Sequence, residues 1–141
     1  MESAEQLFAK FLKSKGLRFT RERRDILGEV MKIHDHFEVD DIFLRLRKRS
    51  IKISHASIYR TLPLLVESGI VLKTPCDKMN ARYEHVVGHK HHDHFVCVNC
   101  GRIIEFNDTK IEKLQEENAK KFRFKMLGHR LVISGLCEKC R

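Results

Sequence analysis

A chain of 141 residues, 42% of them hydrophobic, is long enough for one ordinary domain or two small ones and too short for three. Its 28 Lys and Arg against 19 Asp and Glu leave a net charge of +9, which suits a polyanionic partner and makes nucleic acid the first candidate. The near-average apolar content excludes charge-driven disorder, no apolar run reaches the roughly 18 residues of a membrane span, and residues 1–15 lack the apolar stretch of a signal peptide, which together predict a cytoplasmic protein without a membrane.

The first half reads as helices. Ser3-Ala4-Glu5-Gln6 has the pattern of a capping box opening a helix with Leu7, Phe8, Phe11 and Leu12 inward, and Gly16 ends it. Thr20 caps a second helix that buries Ile26, Leu27, Val30 and Met31; Val39, Ile42, Phe43 and Leu46 form the apolar stripe of a third. A fourth begins near Ser54 and stops at Gly69, with Pro63 expected to kink it by removing one backbone donor. Ile70 to Lys73 and Ala81 to Glu84 are strand-like runs separated by turn residues that include Cys76, which is read as a small buried or wing residue. Helices followed by a hairpin give the order of a winged helix-turn-helix domain, assigned to residues 1–84 with its hinge.

From His85 the composition changes, with five histidines between His85 and His94, and a second domain is assigned to 85–141. Strand-like His94 to Val98 and Arg102 to Phe106 flank Asn99-Cys100-Gly101. Thr109-Lys110-Ile111-Glu112 reads as a capping box opening a helix with Ile111, Leu114 and Phe122 inward, before strand-like Lys125 to Leu127 and Arg130 to Ser134. The whole is α+β.

Charge placement points to DNA. Between Ile42 and Val66 there are six bases, Arg45, Arg47, Lys48, Arg49, Lys52 and Arg60, and no acid. Such a run is usually a solvated face, but this one leads into the fourth helix, whose inward face is set by Ile58, Leu62, Leu65 and Val66. At about 100° per residue Arg60 lies roughly 200° from Ile58, away from the core. Ser57, Tyr59 and Arg60 are therefore candidates for reading a DNA groove, with Arg45, Arg47 and Lys48 for phosphate contact or steering.

The strongest chemical signal is Cys97-x-x-Cys100 with Cys137-x-x-Cys140. Each short loop can present two thiolates to one tetrahedral ion, and their softness favours zinc. Four protein ligands leave no open position, so this zinc, one per chain, is structural. His91-His92-Asp93-His94 precedes Cys97 in a strand-like segment, where period two sends His92 and His94 to one side and His91 and Asp93 to the other. One strand can thus serve two metal sites. A bland reading, a histidine-rich loop with weak metal affinity, stands beside this on local sequence alone.

These residues together carry a resemblance. Gly16-Leu17-Arg18-Phe19-Thr20-x-x-Arg23, His36 to Phe43, Ser57-Ile58-Tyr59-Arg60-Thr61-Leu62, Arg82-Tyr83-Glu84, His91 to Cys97 and the closing Cys137-x-x-Cys140 resemble the ferric uptake regulator (Fur) superfamily of metal-dependent repressors across essentially the whole chain. The resemblance implies an N-terminal winged-helix DNA-binding domain, a C-terminal α/β dimerisation domain and a homodimer on double-stranded DNA carrying an AT-rich inverted repeat. Position by position it assigns a regulatory metal to His36, Glu84, His92, His94 and Glu105, and an additional metal to His91, Asp93, Glu112 and His129. His34, His55, His85 and His89 receive no role beyond surface or local hydrogen bonding.

Fe2+ is the expected regulatory metal, with Mn2+ or Zn2+ able to substitute in vitro, and iron homeostasis genes the expected targets. Zinc sensors of the superfamily commonly bring a cysteine into the regulatory site, and Cys76, 21 residues before Cys97, does not align with such a ligand. Peroxide sensing is the alternative within the superfamily, and a zinc-binding storage or adaptor protein is the alternative outside it. The latter leaves the basic fourth helix idle. An enzyme is not expected: a zinc hydrolase needs an open metal position beside a carboxylate base, and there is no HExxH.

Overall fold

The computed structural model describes residues 2–74 and 80–141, so the expectation for Cys76 lies outside the described residues. The chain divides into two compact units, with Lys90 ending the first and His91 opening the described part of the second. Residues 85–90 therefore belong with the first unit.

Unit one holds α1 (Ala4–Ser14), α2 (Arg21–Val30), α3 (Val39–Lys48), α4 (His55–Glu67), β1 (Val71–Thr74) and β2 (Arg82–His85). Ser3 and Gln6 form the expected capping box of α1, and the Thr20 and Ser54 side chains accept from the amides of Arg23 and Ser57 to start α2 and α4. Gly16 and Gly69 take positive φ (69° and 77°) just past α1 and α4, where the following amides of Leu17 and Ile70 reach back to the carbonyls of Leu12 and Leu65. A side chain would strain both turns. Phe8, Leu12, Ile26, Val30, Ile42, Leu46, Ile58, Leu62 and Leu65 are fully buried and fuse the four helices into one core, which Ile70 and, at the start of β1, Val71 close. Helix α4 runs unbroken through Pro63, which lies on its exposed side. β1 and β2 pair antiparallel, Val71 opposite His85 and Thr74 opposite Arg82. This is the winged helix-turn-helix arrangement.

Unit two is a three-stranded sheet, order β4-β3-β5, with β3 (Asp93–Cys97) antiparallel to β4 (Ile103–Phe106) and parallel to β5 (Val132–Gly135), and helix α5 (Thr109–Lys121) between β4 and β5. Three expectations are corrected here. Asp108, not Thr109, caps α5, its carboxylate accepting from the amides of Lys110 and Ile111. Lys125 to Leu127 form no strand. Leu114 and Phe122 are 57% and 74% exposed, so among the described residues that stripe of α5 is left uncovered.

Candidate metal centres and nucleic-acid face

Strand pairing in unit two builds a four-cysteine cluster. β3 runs parallel to β5 with Cys97 opposite Gly135, which delivers Cys137 to the end of β3. A tight turn, Gly101 amide to Cys97 carbonyl at 2.9 Å, returns Cys100 beside Cys97, and a matching turn joins Cys140 to Cys137. One sulfur from each cysteine lies within 4.8 Å of the others, and Cys100 Sγ stands 3.7 Å from Cys137 Sγ. Zinc–sulfur bonds of about 2.3 Å at tetrahedral angles place sulfurs about 3.75 Å apart, so the donors fit zinc.

The thiols also show why an ion belongs there. Backbone amides of Cys100 and Cys137 hold the Cys97 thiol down to about 6, whereas Cys100, despite the favourable Arg102 backbone group, is pushed up to about 11 by the sulfurs of Cys97 and Cys137. A cation held between the four sulfurs would offset the negative charge that thiolates gather there.

The histidines of unit two fall into two groups, although β3 begins only at Asp93, so His91 and His92 lie just before the strand instead of alternating along it. His91 Nε2 approaches Asp93 Oδ1 at 3.2 Å and Glu112 Oε1 at 3.5 Å; His129 Nε2 reaches the same two oxygens at 3.6 and 3.2 Å. Asp93 is 1% exposed, and Asp93 Oδ2, Glu112 Oε1 and His129 Nε2 are buried without a hydrogen bond. Two carboxylates and two imidazoles converging on one point, with Asp93 buried and His91 at the surface, are a divalent-cation donor set. On the other side His92 Nε2 lies 3.6 Å from Glu105 Oε1, the His92 and His94 rings are 4.9 Å apart, and His94 pairs with Glu105 across β3 and β4. Unit one contributes its own pair, His36 Nε2 and Glu84 Oε2 at 3.4 Å, both side chains under 10% exposed.

On α4, Tyr59 (61% exposed) and Arg60 face outward as helical spacing requires, with Ala56 beside them. Ser57 does not. It is buried, its hydroxyl donates to Glu22 Oε2 at 3.0 Å and its amide is capped by Ser54, so it fixes the start of α4 against α2 instead of facing a groove. Arg47 stacks over Phe43 at 5.6 Å and Lys48 is exposed, both available to phosphates. Arg45 is committed elsewhere: with Arg49 it bonds the buried Glu29 carboxylate, each at 2.9 Å. His55 stacks on Phe43 and meets Asp40 at 3.0 Å, a local role as expected.

The sequence model of the ferric uptake regulator family matches residues 14–134. The chain belongs to that family. Among its relatives, the ferric uptake regulation protein of Campylobacter jejuni is 33% identical over 135 residues, covering 94% of this chain and 85% of the relative. Two solved family structures are similar. The Helicobacter pylori ferric uptake regulator, described with three functional metal binding sites, has a TM-score of 0.73 at 29% identity over 99% of this chain and 94% of that one. The Pseudomonas aeruginosa regulator with manganese has a TM-score of 0.76 at 29% identity, covering 92% and 96%.

Family membership makes the chain a metal-dependent regulator, and the cysteine cluster supplies the donor set of its structural zinc. Two features escaped sequence reasoning. Glu29 was invisible as the anchor of Arg45 and Arg49 because its partners lie 16 and 20 residues away. His34, His85 and His89, given no metal role, come together in unit one; their only local signal was their position within two residues of His36, or next to and five beyond Glu84.

Proposed function

We propose that the chain is a cytoplasmic, homodimeric, Fe(II)-responsive repressor of iron homeostasis genes that binds an AT-rich inverted repeat. The observation that carries the reading is the chemistry of the His36–Glu84 pair and the His92, His94, Glu105 group: nitrogen and carboxylate oxygen without thiolate, a set suited to Fe2+ or Mn2+ rather than to a zinc-selective site. Both groups serve one regulatory ion in this reading. One belongs to the unit that presents Tyr59 and Arg60, so sharing an ion would restrict the chain where unit one gives way to unit two, after Lys90, and favour the DNA-competent state.

Metal selects that state only by binding it better, and metal and DNA affinities are therefore reciprocal. The homodimer is supported by the exposed apolar side chains of unit two, Leu114, Phe122, Phe124 and Leu127, which a single chain leaves in water. Arg47, Lys48, Tyr59 and Arg60 are the proposed DNA contacts, and Asp93, Glu112, His91 and His129 hold the additional ion.

The test is metal analysis of protein purified without oxygen, tied to mobility shifts of AT-rich inverted-repeat DNA with Fe2+, Mn2+ or Zn2+ and with chelator. Iron carried by the protein purified without oxygen, with retardation that chelator abolishes and Fe2+ restores, supports iron sensing. Zn2+-selective retardation would assign zinc sensing, and metal binding with no DNA binding a storage or adaptor role.

A further inference from the structure

His34, His85 and His89 lie outside every ligand set described above, yet one ring nitrogen from each is within 4.8 Å of the other two. All three belong to unit one. His34 sits in the connection from α2 to α3, His85 ends β2, and His89 lies in the turn that follows, where its amide donates to the Val86 carbonyl at 3.2 Å and Gly88 takes φ +83°. The ring centroids of His85 are 5.5 Å from those of His34 and 4.5 Å from those of His89.

His85 is the informative member. It is 5% exposed, and neither ring nitrogen completes a hydrogen bond, although backbone groups of Val87 and Ile33 lie beside it. A buried polar group left unmet costs about 1 to 3 kcal/mol, which a fold tolerates when a ligand removes the cost. His34 Nδ1 and His89 Nε2 already stand 3.4 Å apart. Two nitrogens on one tetrahedral ion at about 2.05 Å are separated by about 3.3 Å, so this edge of the triangle has metal-site dimensions. His34 and His89 are exposed, which lets their rings adjust to the longer edges and gives an ion a way in.

We infer that His34, His85 and His89 form a further divalent-metal site, distinct from the cysteine zinc, the regulatory set and the His91 set. Its donors are all imidazole nitrogens with no carboxylate, which favours Zn2+, Ni2+ or Cu2+ over Fe2+ and Mn2+. Three protein ligands leave a fourth position for water. The site joins the α2–α3 connection to the turn 86–90, so occupancy pins the exit of unit one and shields the peptide bond after Lys90.

The experiment uses the full chain with its cysteine zinc in place, dialysed against fixed free Zn2+, with zinc per chain measured by atomic emission. His34→Ala/His89→Ala is expected to hold one Zn2+ fewer than wild type, and each single change to weaken that equivalent at least tenfold. His34→Asn/His89→Asn, which keeps polarity at both positions, should show the same loss. Mn2+ stoichiometry should not change, and Zn2+ should slow tryptic cleavage after Lys90 in wild type and not in the double variants. Equal zinc numbers and affinities in wild type and both double variants would overturn the site, and equal loss of Mn2+ would overturn its nitrogen-donor selectivity. The readout does not depend on DNA binding, so failure of the iron-repressor reading leaves it standing.

Discussion

Phe37 and Tyr83 exchange both backbone hydrogen bonds, each 2.8 Å long, and stack their rings 5.9 Å apart. This isolated bridge joins the approach to α3 to strand β2, and because antiparallel pairing runs in opposite directions, it sets His36 across from Glu84. The pair is thereby built by backbone geometry before any ion arrives. Glu84→Gln keeps the shape and removes the charge; Fe(II)-dependent operator affinity should fall by roughly tenfold or more, equivalent to about 1.4 kcal/mol, with cysteine-bound zinc unchanged. Fluorescence anisotropy under anaerobic conditions measures it. An undiminished iron response would remove Glu84 from the ligand set.

The zinc cluster supports a different prediction, about folding. Among the described residues of unit two the buried apolar ones are Val96 and Cys97, a small interior that a bound metal would reinforce. Wild type should purify with about one tightly held zinc per chain. Cys97→Ser should lose that zinc, together with amide-exchange protection in β3 and β5, while unit one, with its own core, keeps its protection. Normal zinc content in this variant would refute the cluster's role.

Glu29 gives a pH dependence. Burial raises its pKa, but hydrogen bonds from Arg49 and Arg45 and the charge of Lys32 outweigh burial and leave the carboxyl below its ordinary 4.5. A folded-state pKa below the unfolded one contributes stability that is complete above about pH 4.5 and is lost as pH falls through the lower folded value. Acid melts should therefore show stability declining below pH 4.5, and Glu29→Gln, already weaker at pH 7 by about 1 to 3 kcal/mol, should decline less. Parallel curves for the two proteins would rule out Glu29 as a source of the acid sensitivity.

The helical stripes and end signals of unit one were legible because each is local: Ser3 with Gln6, Thr20 with Arg23, Gly69 after Val66. The two CxxC pairs were legible as one site because each pair is itself a turn. Lys125 to Leu127 read as a strand, but the segment is too short to specify a pairing by itself and the sheet is made of β4, β3 and β5 without it. Ser57 read as outward because helical spacing places it near Arg60, and its actual direction depends on Glu22, 35 residues earlier. The His34, His85, His89 cluster needed the hairpin and the α2–α3 connection to meet, a relation no sequence window contains.

The same reasoning divides the arginines. Arg60 is exposed on α4 and, among the described residues, donates only at 3.4 Å to the Ser57 hydroxyl, while Arg45 is tied to the buried Glu29 carboxylate at 2.9 Å. Arg60→Ala should cost about 1 to 3 kcal/mol of operator affinity if it reads a base, with little change in melting temperature. Arg45→Ala should do the reverse, lowering stability more than affinity. Binding should weaken steeply with salt, and Arg47→Ala or Lys48→Ala should each reduce the slope of log K against log salt by about one if they touch phosphates. Salt-independent binding would exclude the basic face as the DNA surface.

What is sensed depends on the chemistry of His36, His92 and His94. Peroxide-sensing members of the superfamily that this chain resembles hold iron in a similar set and inactivate when Fenton chemistry oxidises a ligand histidine. In those sensors the residue matching Glu105 is typically Asp, and the residue matching Glu84 often is; this chain has Glu at both positions. Each glutamate is one methylene longer, and Glu105 reaches to 3.6 Å of His92 from β4 while Glu84 lies 3.4 Å from His36. Longer carboxylates can meet an ion from more directions and leave less open coordination for peroxide. The expected behaviour is reversible Fe(II) dependence with slow histidine oxidation. Protein loaded anaerobically with Fe(II) and given a modest excess of peroxide should keep its DNA binding on re-reduction, with little oxygen addition on peptides carrying His36, His92 and His94 by mass spectrometry. Glu105→Asp should oxidise faster. Rapid stoichiometric oxidation of wild type with parallel loss of DNA binding would make this a peroxide sensor.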